Sequence, residues 1–148
     1  MKKAEEYIRN IEALSEKVRT TQMDNIGKVA ECMARSLGNG KWIYLFGTGH
    51  SHMLAEELFY RAGGLVRIKP ILEEGLMLHQ GAAKSTQIER LPGYADILLD
   101  EYGVGSGDTM IILSNSGINT MCIEMALGAS DRGAYKIGRA SCIHCRLD

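Results

Sequence analysis

Two segments of this 148-residue chain repeat one pattern: a short apolar run, a turn of glycine and hydroxyl residues, and a helix-forming stretch. The first runs WIYLF at residues 42–46, then Gly47-Thr48-Gly49-His50, then residues 51–62 with Leu54, Leu58 and Ala62 at helical spacing before Gly63-Gly64. The second runs TMIIL at 109–113, then Ser114-Asn115-Ser116-Gly117, then 118–132 before Gly133. A run that is apolar at every position suits a strand covered on both faces, which is the condition of a parallel sheet. Strands alternating with helices predict an α/β fold, a parallel sheet flanked by helices.

The rest of the chain fits around that repeat. Tyr7, Ile8, Ile11, Leu14 and Val18 recur at helical spacing, as do Met23, Ile26, Ala30, Met33 and Leu37. Thr21-Gln22-Met23-Asp24 has the form of a capping box, so residues 1–40 form either two helices or one helix bent at Thr20-Thr21. Gly38-Asn39-Gly40 ends this N-terminal helical segment. Residues 65–69 (LVRIK) are expected to form a strand closed by Pro70. Thr86-Gln87-Ile88-Glu89 offers another capping box, and 94–102 a short helix. A further strand is expected to start at Tyr135 and to lie beside 109–113.

Composition excludes several classes. The net charge is −1 with both signs interspersed, and residues 1–40 carry no basic recognition helix. No nucleic acid partner is therefore expected. No apolar run approaches the roughly 20 residues of a membrane span. The N-terminus MKKAEEYIRN lacks the apolar stretch of a signal peptide, so a cytoplasmic protein with no membrane partner is expected. Cys142 and Cys145 make one C-x-x-C around His144, which is half a zinc site without its second half. No metal and no cofactor are expected, and Cys32, Cys122, Cys142 and Cys145 read as free thiols.

The two turns have the chemistry of an anion site. A helix start presents unpaired N–H groups and a positive dipole end. Glycine lets backbone approach an anion, and hydroxyls add donors. The first turn offers Gly47, Thr48, Gly49, His50 and Ser51. The second offers Ser114, Asn115, Ser116 and Gly117, followed by Asn119 and Thr120. Each turn alone is equally consistent with a plain tight βα connection and a capped helix. Two of the same chemistry in matching positions favour a shared ligand. His52 stands where G-x-G-x-x-G needs its third glycine, and no P-loop lysine is present.

Gly47-Thr48-Gly49-His50-Ser51 resembles the G-x-G-x-S turn of SIS (sugar isomerase) domains, and Ser114-Asn115-Ser116-Gly117 resembles their S-x-S-G turn. The stretch 45–133 is similar to the branch holding phosphoheptose isomerases and N-acetylmuramic acid 6-phosphate etherases. FGTGHSHMLAEELFYRAGGL resembles a bacterial subgroup of the family. The resemblance implies a flavodoxin-like sheet of five parallel strands, a phosphorylated sugar bound between the turns, and a homodimer or higher homo-oligomer. One departure is Asn119, where many SIS domains carry Ser or Thr.

Isomerisation and ether elimination both need a base. Phosphoheptose isomerases have a catalytic Glu in a similar Ala-Glu-Leu segment, about one helical turn farther from the serine. This points to Glu57, which a rise of about 1.5 Å per residue puts about 9 Å beyond the helix start. His79 is the second catalytic candidate, its imidazole suited to proton transfer near neutral pH. Glu89 reads equally as a cap or a catalyst. The function expected is phosphosugar binding in an isomerase- or lyase-type enzyme, the alternative a noncatalytic phosphosugar-sensing module. Three regions are expected: N-terminal helices at 1–40, a partial SIS domain at 41–138, and an atypical tail at 139–148. AYKIGRASCIHCRLD lacks the family's further strands and helices, so the domain is expected to be incomplete at its C-terminus.

Overall fold

A computed structural model describes residues 2–138. The expected atypical tail and its C-x-x-C lie outside the described residues. The chain divides into two compact units, Met1–Ala34 and Arg35–Asp148. Helix α1 spans Lys2–Thr21 and α2 spans Met23–Gly38. The break is therefore at Gln22, one residue beyond the expected bend. Thr21 does not cap α2. Its hydroxyl donates back to the Lys17 carbonyl at 2.7 Å.

Four parallel strands follow: β1 (Ile43–Gly47), β2 (Ile68–Ile71), β3 (Thr109–Leu113) and β4 (Tyr135–Gly138), in the order β2-β1-β3-β4. The described residues thus supply four of the five strands the resemblance implies. The expected pairing of the Tyr135 strand with Thr109–Leu113 is present, with Thr109 opposite Tyr135. Helices α3 (His52–Leu58), α4 (Ala82–Ile88), α5 (Tyr94–Tyr102) and α6 (Thr120–Asp131) complete the described fold.

All five residues of β1 are buried, as a strand covered on both faces requires. Tyr44, Phe46 and Met110 join Leu98 and Leu99 of α5 and Met121, Met125 and Ala129 of α6 in one apolar cluster. Each large side chain so buried contributes about 1.5–3 kcal/mol. Arg132 ties α6 to α5 through Asp96 at 2.9 Å and Asp100 at 2.5 Å. Farther along β3 the cover thins, and Ile111, Ile112 and Leu113 are only half-buried.

Four local expectations are corrected. The second strand starts at Ile68, not at residue 65, and runs through Pro70. Among the described residues β2 is an edge strand paired only to β1, so a residue without an N–H is tolerated there. Helix α3 stops at Leu58, a turn before the expected end, and Phe59 is extended. Tyr60 and Val66 beyond it are 94 % and 92 % exposed, so no packing holds another turn in place. The helix after Gly117 starts at Thr120 and ends at Asp131. Thr86 caps nothing: it lies inside α4 with its hydroxyl on the Ala82 carbonyl at 3.1 Å, and Glu89 follows the helix end.

Candidate functional site

The register of the sheet brings the two turns together. β1 and β3 are neighbours, with Gly47 opposite Leu113. The chains leaving these residues therefore start side by side at the carboxyl edge. From β1 the sheet continues to β2 on one side and β3 on the other, and such a switch point is where open α/β sheets leave a crevice.

The first turn needs its leading glycine. A Cβ on Gly47 would lie 2.7 Å from the Ser51 carbonyl carbon and 2.8 Å from its oxygen. Only a residue without a side chain lets the backbone fold back this tightly. Thr48 is buried, and its carbonyl accepts from the Ser51 N–H at 3.1 Å. The second turn is closed by Ser114, whose Oγ accepts from the Gly117 N–H at 2.9 Å. Gly117 takes a φ of +66°, in the left-handed region that favours glycine. Asn119 then caps α6, its Oδ1 accepting from the Cys122 N–H at 2.9 Å.

Thr48, His50, Ser51, Ser114, Asn115, Ser116, Asn119 and Thr120 line one cavity of about 570 Å³, together with Glu89, Arg90 and Ile118. That volume is within the range of about 300–1,000 Å³ of small-molecule sites. Gly47, Gly49 and Gly117 shape the turns and are not among the lining residues. Eight of the eleven residues expected to bind a ligand thus converge on one space.

The two expected catalytic residues do not reach it. Glu57 is exposed on α3 and ion-paired with Arg61. His79 lies in a short 3-10 turn, Leu78–Gln80, its ring 5.8 Å from that of His52. His52 itself is buried, with Nδ1 on the Gly49 carbonyl and Nε2 3.4 Å from Glu56.

Glu89 is the carboxylate among the lining residues. Thr48 Oγ1 donates to Glu89 Oε2 at 3.0 Å, and Asn119 Nδ2 donates to the same oxygen at 3.2 Å. Asn119 Nδ2 also lies 3.0 Å from Thr48 Oγ1. The Glu89 backbone is fixed as well, its carbonyl accepting from the Met121 N–H at 3.0 Å. One residue from each turn therefore grips a carboxylate delivered by a third segment. Behind this network burial pushes the Cys122 thiol up, and hydrogen bonds to Ser114, Thr48 and Asn119 partly oppose it. That thiol stays neutral near neutral pH. Among the described residues no group of His, Cys, Asp and Glu is arranged to hold a metal.

A parallel sheet with two helix-initiating, hydroxyl-rich turns side by side at its carboxyl edge defines an α/β protein with a crevice at its switch point, where open sheets of this kind take their ligands. The chain belongs to the SIS domain family, whose sequence model matches residues 6–141. It is 44 % identical over 137 residues to a UPF0309 protein of Geobacillus thermodenitrificans, covering 93 % of this chain and 55 % of that protein. It is 45 % identical over 135 residues to a UPF0309 protein of Halalkalibacterium halodurans, covering 91 % of this chain and 54 % of that one. The chain thus spans about half the length of the curated relatives it matches. Among solved structures it is similar to a phosphoheptose isomerase of Neisseria gonorrhoeae, with a TM-score of 0.69 at 20 % identity, over 93 % of this chain and 72 % of that one. A phosphoheptose isomerase of Francisella tularensis gives 0.71 at 16 % identity with the same coverage. At those identities the likeness is one of fold.

Proposed function

We propose that this chain binds a phosphorylated sugar in the cavity between the two turns, and that the whole protein acts on it by proton transfer, as an isomerase or a lyase. The convergence of Ser51, Ser114, Ser116, Asn119 and Thr120 with Glu89 on one 570 Å³ space carries this reading. The α6 N-terminus and the second turn supply donors for a phosphate. His50 and the first turn supply donors for hydroxyls.

Glu89 takes the part of the base. Both hydrogen bonds to its carboxylate fall on Oε2, so we assign proton transfer to Oε1. In an aldose–ketose isomerisation Oε1 takes the proton from the hydroxyl-bearing carbon beside the carbonyl and returns it to the carbonyl carbon, while the hydroxyl proton passes to the former carbonyl oxygen and leaves the new carbonyl behind. In an elimination it takes the proton beside the carbonyl, and the electron pair expels the ether oxygen on the next carbon. Both reactions start with the same step.

The reading carries a cytoplasmic setting and a homo-oligomeric state with it. A thermal-shift screen against a panel of hexose and heptose phosphates tests it, because a ligand specific to the folded state raises apparent stability. At least one phosphosugar should raise the midpoint where its unphosphorylated parent does not. A panel without any such response sinks the proposal.

A further inference from the structure

Five arginines of the second unit lie among the described residues, and four are engaged. Arg35 stands over the Tyr135 ring at 5.8 Å, Arg61 pairs with Glu57, and Arg67 donates to the Gly40 carbonyl at 2.7 Å. Arg132 holds Asp96 and Asp100. The fifth is Arg90, whose guanidinium has no hydrogen-bond or ion-pair partner among the described residues. Among the described residues it is also the single Lys or Arg that lines the cavity. Its place is nonetheless fixed: its N–H donates to the Gln87 carbonyl at 3.2 Å, and the preceding residue is Glu89, bonded to Thr48, Asn119 and Met121.

The cavity also has an electrostatic need. Its other expected anion donors are hydroxyls, amides, backbone N–H groups and the His50 imidazole, none of them a permanent cation, while Glu89 adds a carboxylate facing the same space. A phosphate dianion entering beside a carboxylate is repelled unless a cation offsets it. A guanidinium meets a phosphate with two parallel N–H donors and carries its charge at any pH of interest.

We propose that Arg90 is the specificity-determining residue of this site: its guanidinium pairs with the ligand's phosphate and offsets the charge of Glu89. This rests on the phosphosugar reading and names the group that makes the cavity select a phosphorylated ligand over a neutral one. Arg90 is exposed, so its replacement leaves the fold intact, and circular dichroism verifies that for each variant.

The test is titration of the full chain with inorganic phosphate and with glucose 6-phosphate, at low and at raised salt, for the parent, Arg90→Gln and Arg90→Lys. Arg90→Gln should weaken binding of both probes by about 10-fold or more, as loss of a charge-assisted pair does. It should also flatten the salt dependence. Arg90→Lys should recover part of the loss by restoring charge without the fork. If Arg90→Gln binds both probes as the parent does, the assignment to Arg90 is wrong and the cavity reading stands. If the parent binds neither probe while a phosphosugar of the panel does bind, the phosphate pairing assigned to Arg90 is wrong; if no phosphosugar of the panel binds either, the cavity reading fails and takes the assignment with it.

Discussion

Asn119 and Glu89 are joined across 30 residues of sequence: Asn119 Nδ2 donates to Glu89 Oε2 at 3.2 Å while its Oδ1 caps α6 through the Cys122 N–H at 2.9 Å. One side chain thus closes the helix of the second turn and holds the cavity's carboxylate. Asn119→Ala should lose both and destabilise the protein by about 1–2 kcal/mol. Asn119→Ser keeps a good cap and should stay within about 0.5 kcal/mol of the parent. Urea unfolding separates the two. Equal stability of Asn119→Ala and the parent would show that neither bond matters.

Gly47→Ala should cost about 1–3 kcal/mol, because the added Cβ meets backbone at 2.7–2.8 Å and backbone cannot swing aside as a side chain can. The same push displaces Ser51 from the cavity, so ligand binding should fall further than stability does. Thermal unfolding beside a ligand titration measures both. A variant as stable as the parent would mean that the turn opens freely.

Tyr94 should titrate late. Burial comes first, and hydrogen bonding to Glu73 second, in pushing its phenol up to about 12. An ordinary phenol ionises near about 10. The folded protein therefore holds this proton where the unfolded chain has released it. The resulting stabilisation is fully present below about pH 10 and is lost as the pH rises toward 12. The phenolate absorbance of the parent minus that of Tyr94→Phe should rise near pH 12. A rise near pH 10 would contradict both the burial of the phenol and its Glu73 contact.

The sequence was most legible where local signals and burial agree. Tyr94–Tyr102 is a helix to the residue, flanked by Gly93 and Gly103 in the left-handed region, and Thr109–Leu113 is the expected strand. Both turns were legible because their chemistry is continuous in the chain. α3 is shorter than its apolar spacing, which continues to Ala62, because residues 59–66 are all exposed among the described residues. In the sequence Glu89 reads equally as a cap or a catalyst, with nothing to choose between them, and Arg90 carries no local signal of its role. They reach the cavity through contacts such as Glu89 with Thr48, 41 residues away, which no periodicity records.

The α1 stripe should make the protein self-associate. Tyr7, Ile8, Ile11, Leu14 and Val18 are all between 41 % and 66 % exposed in the structure. A stripe this apolar favours a partner helix. Light scattering at micromolar concentration should give a dimer or larger, and Ile11→Glu with Leu14→Glu should shift it toward monomer. A monodisperse parent monomer would refute the idea.

The central claim is that the two turns hold one phosphate-bearing sugar between them. Calorimetric titration of the parent, Ser51→Ala and Ser116→Ala with the phosphosugar that responds best in the screen tests it most directly. Each variant should bind about fivefold more weakly, as the loss of one hydroxyl hydrogen bond of about 1 kcal/mol predicts. The unphosphorylated sugar should not bind detectably. Both variants binding as tightly as the parent would place the ligand elsewhere and contradict the account.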